Sequence, residues 1–225
     1  MVGFHLCYDL KFIVGFSLPW FAPPLQDIWR ASISWVFIGL AGFMCALSRN
    51  NLKRAGVYGA VALAIYAVTS IASVDAPISF GVIYCMAACT LVEWLLEQAQ
   101  AQPKGPTAAM LLFMAYIALL HVGSGVVGFG SLTVRLPHAW YGTPYLSWLG
   151  LPGRGFVSGD YYPLLPYALL YLAGASLGWW LRERGYPRLL YRHGPSLLEA
   201  AGRHSLLVYA LHQPLLLGCC MLLGW

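Results

Sequence analysis

The chain alternates between long apolar runs and short connections that are polar or rich in proline and glycine. None of the runs shows the period-two alternation that marks the strands of a membrane barrel. The seven runs cover residues 1–17, 31–48, 55–73, 77–96, 107–127, 163–181 and 205–223. Each of the last six approaches the roughly 20 residues that a helix needs to cross a hydrocarbon core about 30 Å thick. The pattern predicts about seven transmembrane helices, the first one truncated, in a single domain over residues 1–225.

Composition assigns this helical bundle to the membrane. Hydrophobic residues make up 60% of the chain and charged residues only 9%, with a mean hydropathy of +0.67. A soluble domain carries about 25% charged residues, so this chain lacks the polar shell that water requires. The sequence therefore predicts an all-α integral membrane protein surrounded by membrane lipids, and the net charge of +5 gives little support to a nucleic-acid role.

The lysines and arginines predict the orientation of the bundle. Alternating connections divide them into nine on one side and four on the other. Because positive charge is retained in the cytoplasm, the N-terminus is predicted inside and Trp225 outside. The cytoplasmic set is Arg49, Lys53, Arg54, Lys104, Arg182, Arg184, Arg188, Arg192 and Arg203, and the outer set is Lys11, Arg30, Arg135 and Arg154.

The connection between the fifth and sixth runs is the longest and combines glycine, proline and aromatic residues. It is too apolar for a disordered tail and too interrupted for a spanning helix, so we predict a structured extracytoplasmic loop that forms an interfacial or re-entrant cap. The alternative is a loop that only seals the bundle. The six cysteines fall within apolar runs and lack metal-ligand spacing with histidine, so we expect no metal site.

Ionisable residues at membrane depth carry the chemical information, because an unpaired charge in hydrocarbon is costly. His5 and Asp9 lie one helical turn apart in the first run. In the last run, Ser205, Tyr209 and His212 share one stripe, which Gln213 adjoins. Pro214 follows and removes a backbone donor, which suits a polar cavity. The alternative is a cluster of interhelical hydrogen bonds that only holds the bundle together. Glu93 lies near a helix end and is expected to extend to water.

Several stretches, read together, resemble a known family. GRHSLLVYALHQPLLLG (202–218) resembles the C-terminal helix of the heparan-α-glucosaminide N-acetyltransferase catalytic-domain family, in its small bacterial branch. Colinear segments that resemble other parts of that family are FHLCYDL (4–10), FIGLAGF (37–43), ISFGVIY (78–84) and SGDYYPLLPY (158–167).

This resemblance implies a transmembrane acyltransferase in the bacterial inner membrane. Such an enzyme transfers an acyl group from cytoplasmic acyl-coenzyme A, typically acetyl-CoA, to a sugar amine or hydroxyl on a glycan outside the cytoplasm. His5 matches the family's proposed catalytic histidine. The other recurrent polar positions that the chain matches are Asp9, Asp160, His204 and His212.

Two positions depart from the family's pattern. The family's first helix begins with an Arg-Gly pair about three turns before the histidine, a place that precedes Met1 here. We therefore expect an upstream reading frame encoding about eleven to fifteen further residues, Arg-Gly among them. In the fourth helix, Tyr84 stands where the family usually has histidine, and a phenol is no base at neutral pH.

A coherent mechanism can be written with these residues. His5 is the expected general base, and Asp9 is expected to hold its tautomer. Tyr209, Gln213 or His212 would donate to the developing oxyanion. Arg49, Lys53, Arg54 and Arg203 are the candidate cations for the CoA phosphates, beside His204 and Ser205 at a helix start. The positions grouped as substrate or CoA contacts are Arg49, Arg54, Tyr84, Asp160, Arg203, His204, Ser205, Tyr209 and Gln213.

Two other function classes stay open from the sequence. A transporter predicts paired broken helices and internal repeats, which the chain does not display, and a non-catalytic membrane subunit predicts no polar tunnel. The sequence leaves open whether the chain is a monomer or a homodimer.

Overall fold

The computed structural model describes residues 1–72, 76–191 and 194–222. Arg192 and Trp225, which enter the topology prediction, lie outside these residues. The described helices are α1 (Val2–Tyr8), α2 (Leu25–Phe43), α3 (Asn51–Ala72), α4 (Val82–Gln98), α5 (Pro106–Leu119), α6 (Leu164–Arg184), α7 (Ser196–Arg203) and α8 (Ser205–Leu222). A small antiparallel hairpin joins β1 (Val126–Phe129) to β2 (Leu132–Arg135).

Two of the helices continue in a different helical geometry. A π-helical turn over Asp9–Ile13 extends α1, and a 3-10 turn over Met44–Leu47 extends α2. Further 3-10 turns occur at Val122–Ser124, His138–Tyr141, Pro144–Leu149 and Arg188–Tyr191.

The apolar helices confirm the predicted class of an all-α integral membrane protein. Within the described ranges, four helices have the length and apolar character needed to cross a membrane: Leu25–Leu47, Asn51–Ile71, Pro106–Ser124 and Leu164–Arg184. The apolar part of α8, Ser205–Cys220, is shorter. The total of seven spans stays a prediction.

The predicted boundaries fail mainly at the fifth run. Residues 107–127 were expected to form one helix, but α5 ends at Leu119 and β1 begins at Val126. The physical reason is glycine: Gly125 ends the 3-10 turn that follows α5 with a positive φ angle, and Gly130, also at positive φ, lies in the turn between β1 and β2. The loop that follows is structured, as predicted.

The chain divides into two compact units. The first comprises Met1–Val36 with Tyr186–Trp225, and the second comprises Phe37–Gly185. The single domain expected from the sequence stays a prediction.

Packing in the second unit brings helix backbones close together. Helix α3 packs on α4, and α6 packs on both α4 and α5. A Cβ atom at Gly174 of α6 would overlap the Gly39 carbonyl oxygen, and one at Gly178 would overlap that of Phe43. Small residues four apart permit this approach in membranes, where close van der Waals contact replaces the hydrophobic effect as the force between helices.

In the first unit, α1 packs against α8. On α1, Phe4 is buried and meets Phe21 and Trp29 edge to face, with ring centroids 5.2 and 5.6 Å away. Trp20 stacks on Trp29 at 6.4 Å. This aromatic cluster fixes the short first helix beside the start of α2 and thereby positions His5 and Asp9.

Candidate functional site

The two histidines at membrane depth lie side by side in the first unit. His5 is in α1 and half-buried, while His212 is in α8 and buried. Their ring centroids are 4.8 Å apart and the ring planes are inclined at 65°. At this distance the two imidazoles are in edge-to-face contact, so one reacting group can meet both side chains.

Asp9 is fully buried next to this pair of helices, with 0% exposure. The Gln213 side-chain amide donates to both Asp9 carboxylate oxygens, at 3.0 and 3.2 Å. Burying a carboxylate is costly unless hydrogen bonds replace its water, and this amide supplies them. The contact joins the C-terminal end of α1 to the middle of α8.

His212 is held in one tautomer by the backbone of its own helix. Its Nδ1 lies 2.6 Å from the Tyr209 carbonyl oxygen. A carbonyl only accepts hydrogen bonds, so Nδ1 carries a hydrogen. Nε2 is buried and, among the described residues, has no hydrogen-bond partner, as is true of the Gln213 Oε1 atom. Nε2 is therefore the His212 atom that stays available to a group that enters the site.

Comparison with known proteins decides the family. The model of the family described as heparan-alpha-glucosaminide N-acetyltransferase, catalytic, matches residues 1–214. The chain belongs to this family. The matched range includes every residue of the His5–His212 site and ends immediately after Gln213. Comparisons with curated proteins and with solved structures return no match.

Membership confirms the resemblance drawn from the sequence. The chain is an integral membrane protein of an acetyltransferase family, whose members use acetyl-CoA as donor and a glycan as acceptor. Membership of the family does not by itself assign a role to each residue of this chain.

The hydrogen-bond partner of Asp9 differs from the expected one. Asp9 was expected to orient His5, yet in the described chain its hydrogen bonds come from Gln213 and none comes from the His5 ring. The reason is that the Gln213 amide reaches across from α8 and satisfies both carboxylate oxygens. Gln213 is consequently engaged with Asp9, which removes its amide from the expected oxyanion donors.

Arg54 has a structural task in the second unit. Its guanidinium donates to the Ala41 carbonyl at 3.0 Å, to the Tyr58 hydroxyl at 3.1 Å and to the Cys45 sulfur at 3.6 Å. Cationic side chains stabilise the exposed carbonyls at a helix C-terminus, so Arg54 caps the end of α2. Arg49, in the connection before α3, is exposed to solvent.

The predicted residues Asp160 and Tyr84 lie at the start of α4. The Asp160 carboxylate accepts a hydrogen bond from the Val82 backbone N–H at 3.2 Å, as a helix N-cap does. The half-buried Tyr84 ring contacts Phe80, with centroids 5.1 Å apart. Phe80 also pairs with Tyr161 in an isolated β-bridge, which fixes the loop against α4.

A tyrosine in this loop stays protonated. The Tyr161 hydroxyl donates to the Ser147 carbonyl at 2.7 Å. Burial, with a further contribution from Tyr141, raises the pKa of Tyr161 to about 12. The hydrogen bond that anchors the loop is therefore maintained at neutral pH.

The three residues at the junction of α7 and α8 are exposed. Arg203 forms an ion pair with Glu199 at 3.2 Å, and His204 and Ser205 open α8 to solvent. Their backbone amides and the Arg203 charge suit an anion. Within the ranges that the structure describes, no three His, Cys, Asp or Glu side chains are grouped as metal ligands would be.

Sequence reasoning missed a buried polar network in the second unit. Glu93 was expected to reach water, but it is 0% exposed and accepts a hydrogen bond from the Trp179 indole at 2.7 Å. The indole on α6 supplies the donor that keeps this carboxyl inside the bundle. The Tyr171 hydroxyl likewise bonds the Thr90 hydroxyl at 2.6 Å. Only the pairing of α4 with α6 brings these groups together, so no local motif marks them.

Proposed function

We propose that the chain transfers an acetyl group from cytoplasmic acetyl-CoA to an amine or hydroxyl of an extracytoplasmic glycan, with His5 as the general base. The observation that carries the proposal is the edge-to-face contact of His5 and His212 at 4.8 Å in a member of this acetyltransferase family. The protein would lie in a bacterial inner membrane with its N-terminus in the cytoplasm.

The reaction is a direct acyl transfer. The acceptor nitrogen or oxygen attacks the thioester carbonyl carbon, a new bond to that carbon forms, and the carbon–sulfur bond breaks. His5 takes the proton from the attacking group and returns it to the CoA sulfur as the thiol leaves. Each proton and each bonding pair is thereby accounted for without a covalent enzyme intermediate.

His212 and Asp9 support the base. The Nδ1–Tyr209 hydrogen bond leaves the His212 Nε2 lone pair for a proton that reaches the imidazole pair. The buried Asp9 carboxylate, held by Gln213, stabilises positive charge that develops on the imidazoles. Gln213 is thus a positioning residue, and the Tyr209 hydroxyl is the remaining candidate donor to the oxyanion.

The phosphates of CoA need cations at the cytoplasmic face. We assign this role to Arg49 and Arg203, both exposed, with the amides of His204 and Ser205 at the start of α8. Arg54 contributes by capping α2 rather than by binding phosphate. Asp160 and Tyr84 are proposed acceptor contacts on the basis of the family resemblance.

The test is turnover by purified protein in proteoliposomes with labelled acetyl-CoA and an amino sugar glycan. The His5→Ala variant should lose about 10²–10⁴-fold in kcat, the usual contribution of a general base, while still binding acetyl-CoA. The matched control is His138→Ala, because His138 is exposed in the loop after β2 and should leave turnover unchanged.

Two outcomes would reject the proposal. Unchanged turnover in His5→Ala would remove His5 as the base. Failure of the wild-type protein to transfer acetyl at all would favour a transporter or a non-catalytic membrane subunit.

A further inference from the structure

The segment that leads into α8 exposes large apolar side chains at a charged end of the chain. Within the first unit, Leu190 and Tyr191 of the 3-10 turn are 56% and 68% exposed, and Leu197 and Leu198 of α7 are 79% and 66% exposed. We call these four side chains the α7 surface. It belongs to neither the His5–His212 site nor the phosphate contacts proposed above.

Helix α7 is amphipathic. At 100° per residue, Leu197, Leu198 and Ala201 occupy one side of the helix. Glu199 and Arg203 lie on the other side, where they form an ion pair at 3.2 Å. A short helix with one apolar and one charged side is typical of segments that lie in the plane of a membrane interface.

The chain connection between α7 and α8 indicates that the membrane covers the α7 surface. Helix α7 is separated from α8 only by His204, and α8 presents a row of exposed leucines to lipid: Leu207, Leu211 and Leu215. The exposed leucines of α7 therefore precede those of α8 by only a few residues of chain. In water they would remain unburied, whereas in the interface their apolar side enters the acyl boundary.

The positive charge beside the α7 surface favours lipids with anionic headgroups. Arg188 is exposed two residues before Leu190, in the connection that the positive-inside count assigns to the cytoplasmic leaflet. Basic residues beside a membrane helix attract anionic headgroups at about 1 kcal/mol each. We infer that the α7 surface is an interfacial anchor that inserts into the leaflet and recruits anionic phospholipid through Arg188. This inference is independent of the acetyl-transfer proposal.

Photocrosslinking in proteoliposomes tests the insertion. A benzophenone amino acid replaces Leu198 on the apolar side or, as the matched control, Ala200, which points about 160° away from Leu198 around the same helix. The vesicles contain equal amounts of phosphatidylglycerol and phosphatidylcholine, and adducts are identified by mass spectrometry. We expect lipid adducts at position 198 at least several-fold above those at position 200.

A charge variant tests the lipid preference. In the position-198 protein, phosphatidylglycerol adducts should exceed phosphatidylcholine adducts, and Arg188→Gln should lower that ratio about fivefold. Arg135→Gln, which removes an exposed arginine from β2, should leave the ratio unchanged. Equal lipid labelling at positions 198 and 200, or adducts mainly to a second copy of the chain, would overturn the insertion. A ratio insensitive to Arg188→Gln would overturn the anionic preference.

Discussion

Gln213 determines whether the Asp9 carboxylate can remain in the membrane. Its amide donates to both Asp9 oxygens, and Asp9 has no exposure to solvent. Removal of one partner of a buried hydrogen bond costs the desolvation of the group left behind, about 1–3 kcal/mol and more for a charged group. Gln213 is therefore important for both stability and charge at the site.

Replacement of this amide gives a prediction at the residue scale. Gln213→Leu keeps the volume but removes both hydrogen bonds, so the protein should lose about 1–3 kcal/mol of stability and most of its turnover. Its KM for acetyl-CoA should change little, because the proposed role of Gln213 is to hold Asp9 rather than the donor. Thermal unfolding and steady-state kinetics measure the two effects. A variant with wild-type stability would show that Asp9 needs no partner from α8.

At this scale the sequence identifies residues better than partners. The cost of ionisable groups in hydrocarbon singles out His5, Asp9 and His212, and the structure brings His5 to His212 and Asp9 to Gln213. The spacing of His5 and Asp9 suggests that they bond each other, but Gln213 of α8 takes that place. Arg54 was a phosphate candidate by position alone, and its bond to Ala41 appears only when α3 packs beside the end of α2.

Among the elements, the contact of α2 with α6 depends most on residue size. Gly174 lies against the Gly39 carbonyl and Gly42 lies against that of Tyr171, with no room for a Cβ atom at either glycine. In a membrane this close approach replaces hydrophobic burial as the source of helix association.

A single methyl group tests this contact. Gly174→Ala forces the two backbones apart, and overpacking of this kind costs about 1–3 kcal/mol, so the melting temperature should fall by several degrees. Gly56→Ala on α3 is the control, since nothing lies within 4 Å of an added Cβ there and alanine favours helix. Equal melting temperatures in the two variants would contradict the packing described for α6.

Hydrophobic run length predicts most elements and misses those defined by local backbone geometry. The third, sixth and last runs agree closely with α3, α6 and α8 because apolar length alone defines them. The hairpin after α5 depends on positive φ at Gly125 and at Gly130 in the turn between the strands, which a hydropathy pattern does not contain. Helix α7 is too short to register as an apolar run.

For the whole molecule, the unequal distribution of lysine and arginine predicts which connections face the cytoplasm. Trypsin added to sealed cells whose outer membrane has been opened should cleave at Arg135 or Arg154, between α5 and α6, and spare Lys104, between α4 and α5. All three side chains are exposed, so access depends on sidedness. Peptide mapping measures the cleavage, and permeabilised cells show that Lys104 can be cut. Cleavage at Lys104 in sealed cells would reverse the predicted topology.

If His5 and His212 act together, the protein contains one catalytic site, formed by α1 and α8. The measurement is the single-turnover rate of acetyl transfer in His5→Ala, His212→Ala and the double variant. Residues that act as a unit are strongly non-additive. We predict that each single variant loses about 10²–10⁴-fold and that the double variant is no slower than the slower single variant. Losses that multiply in the double variant, or full activity in either single variant, would contradict a shared site.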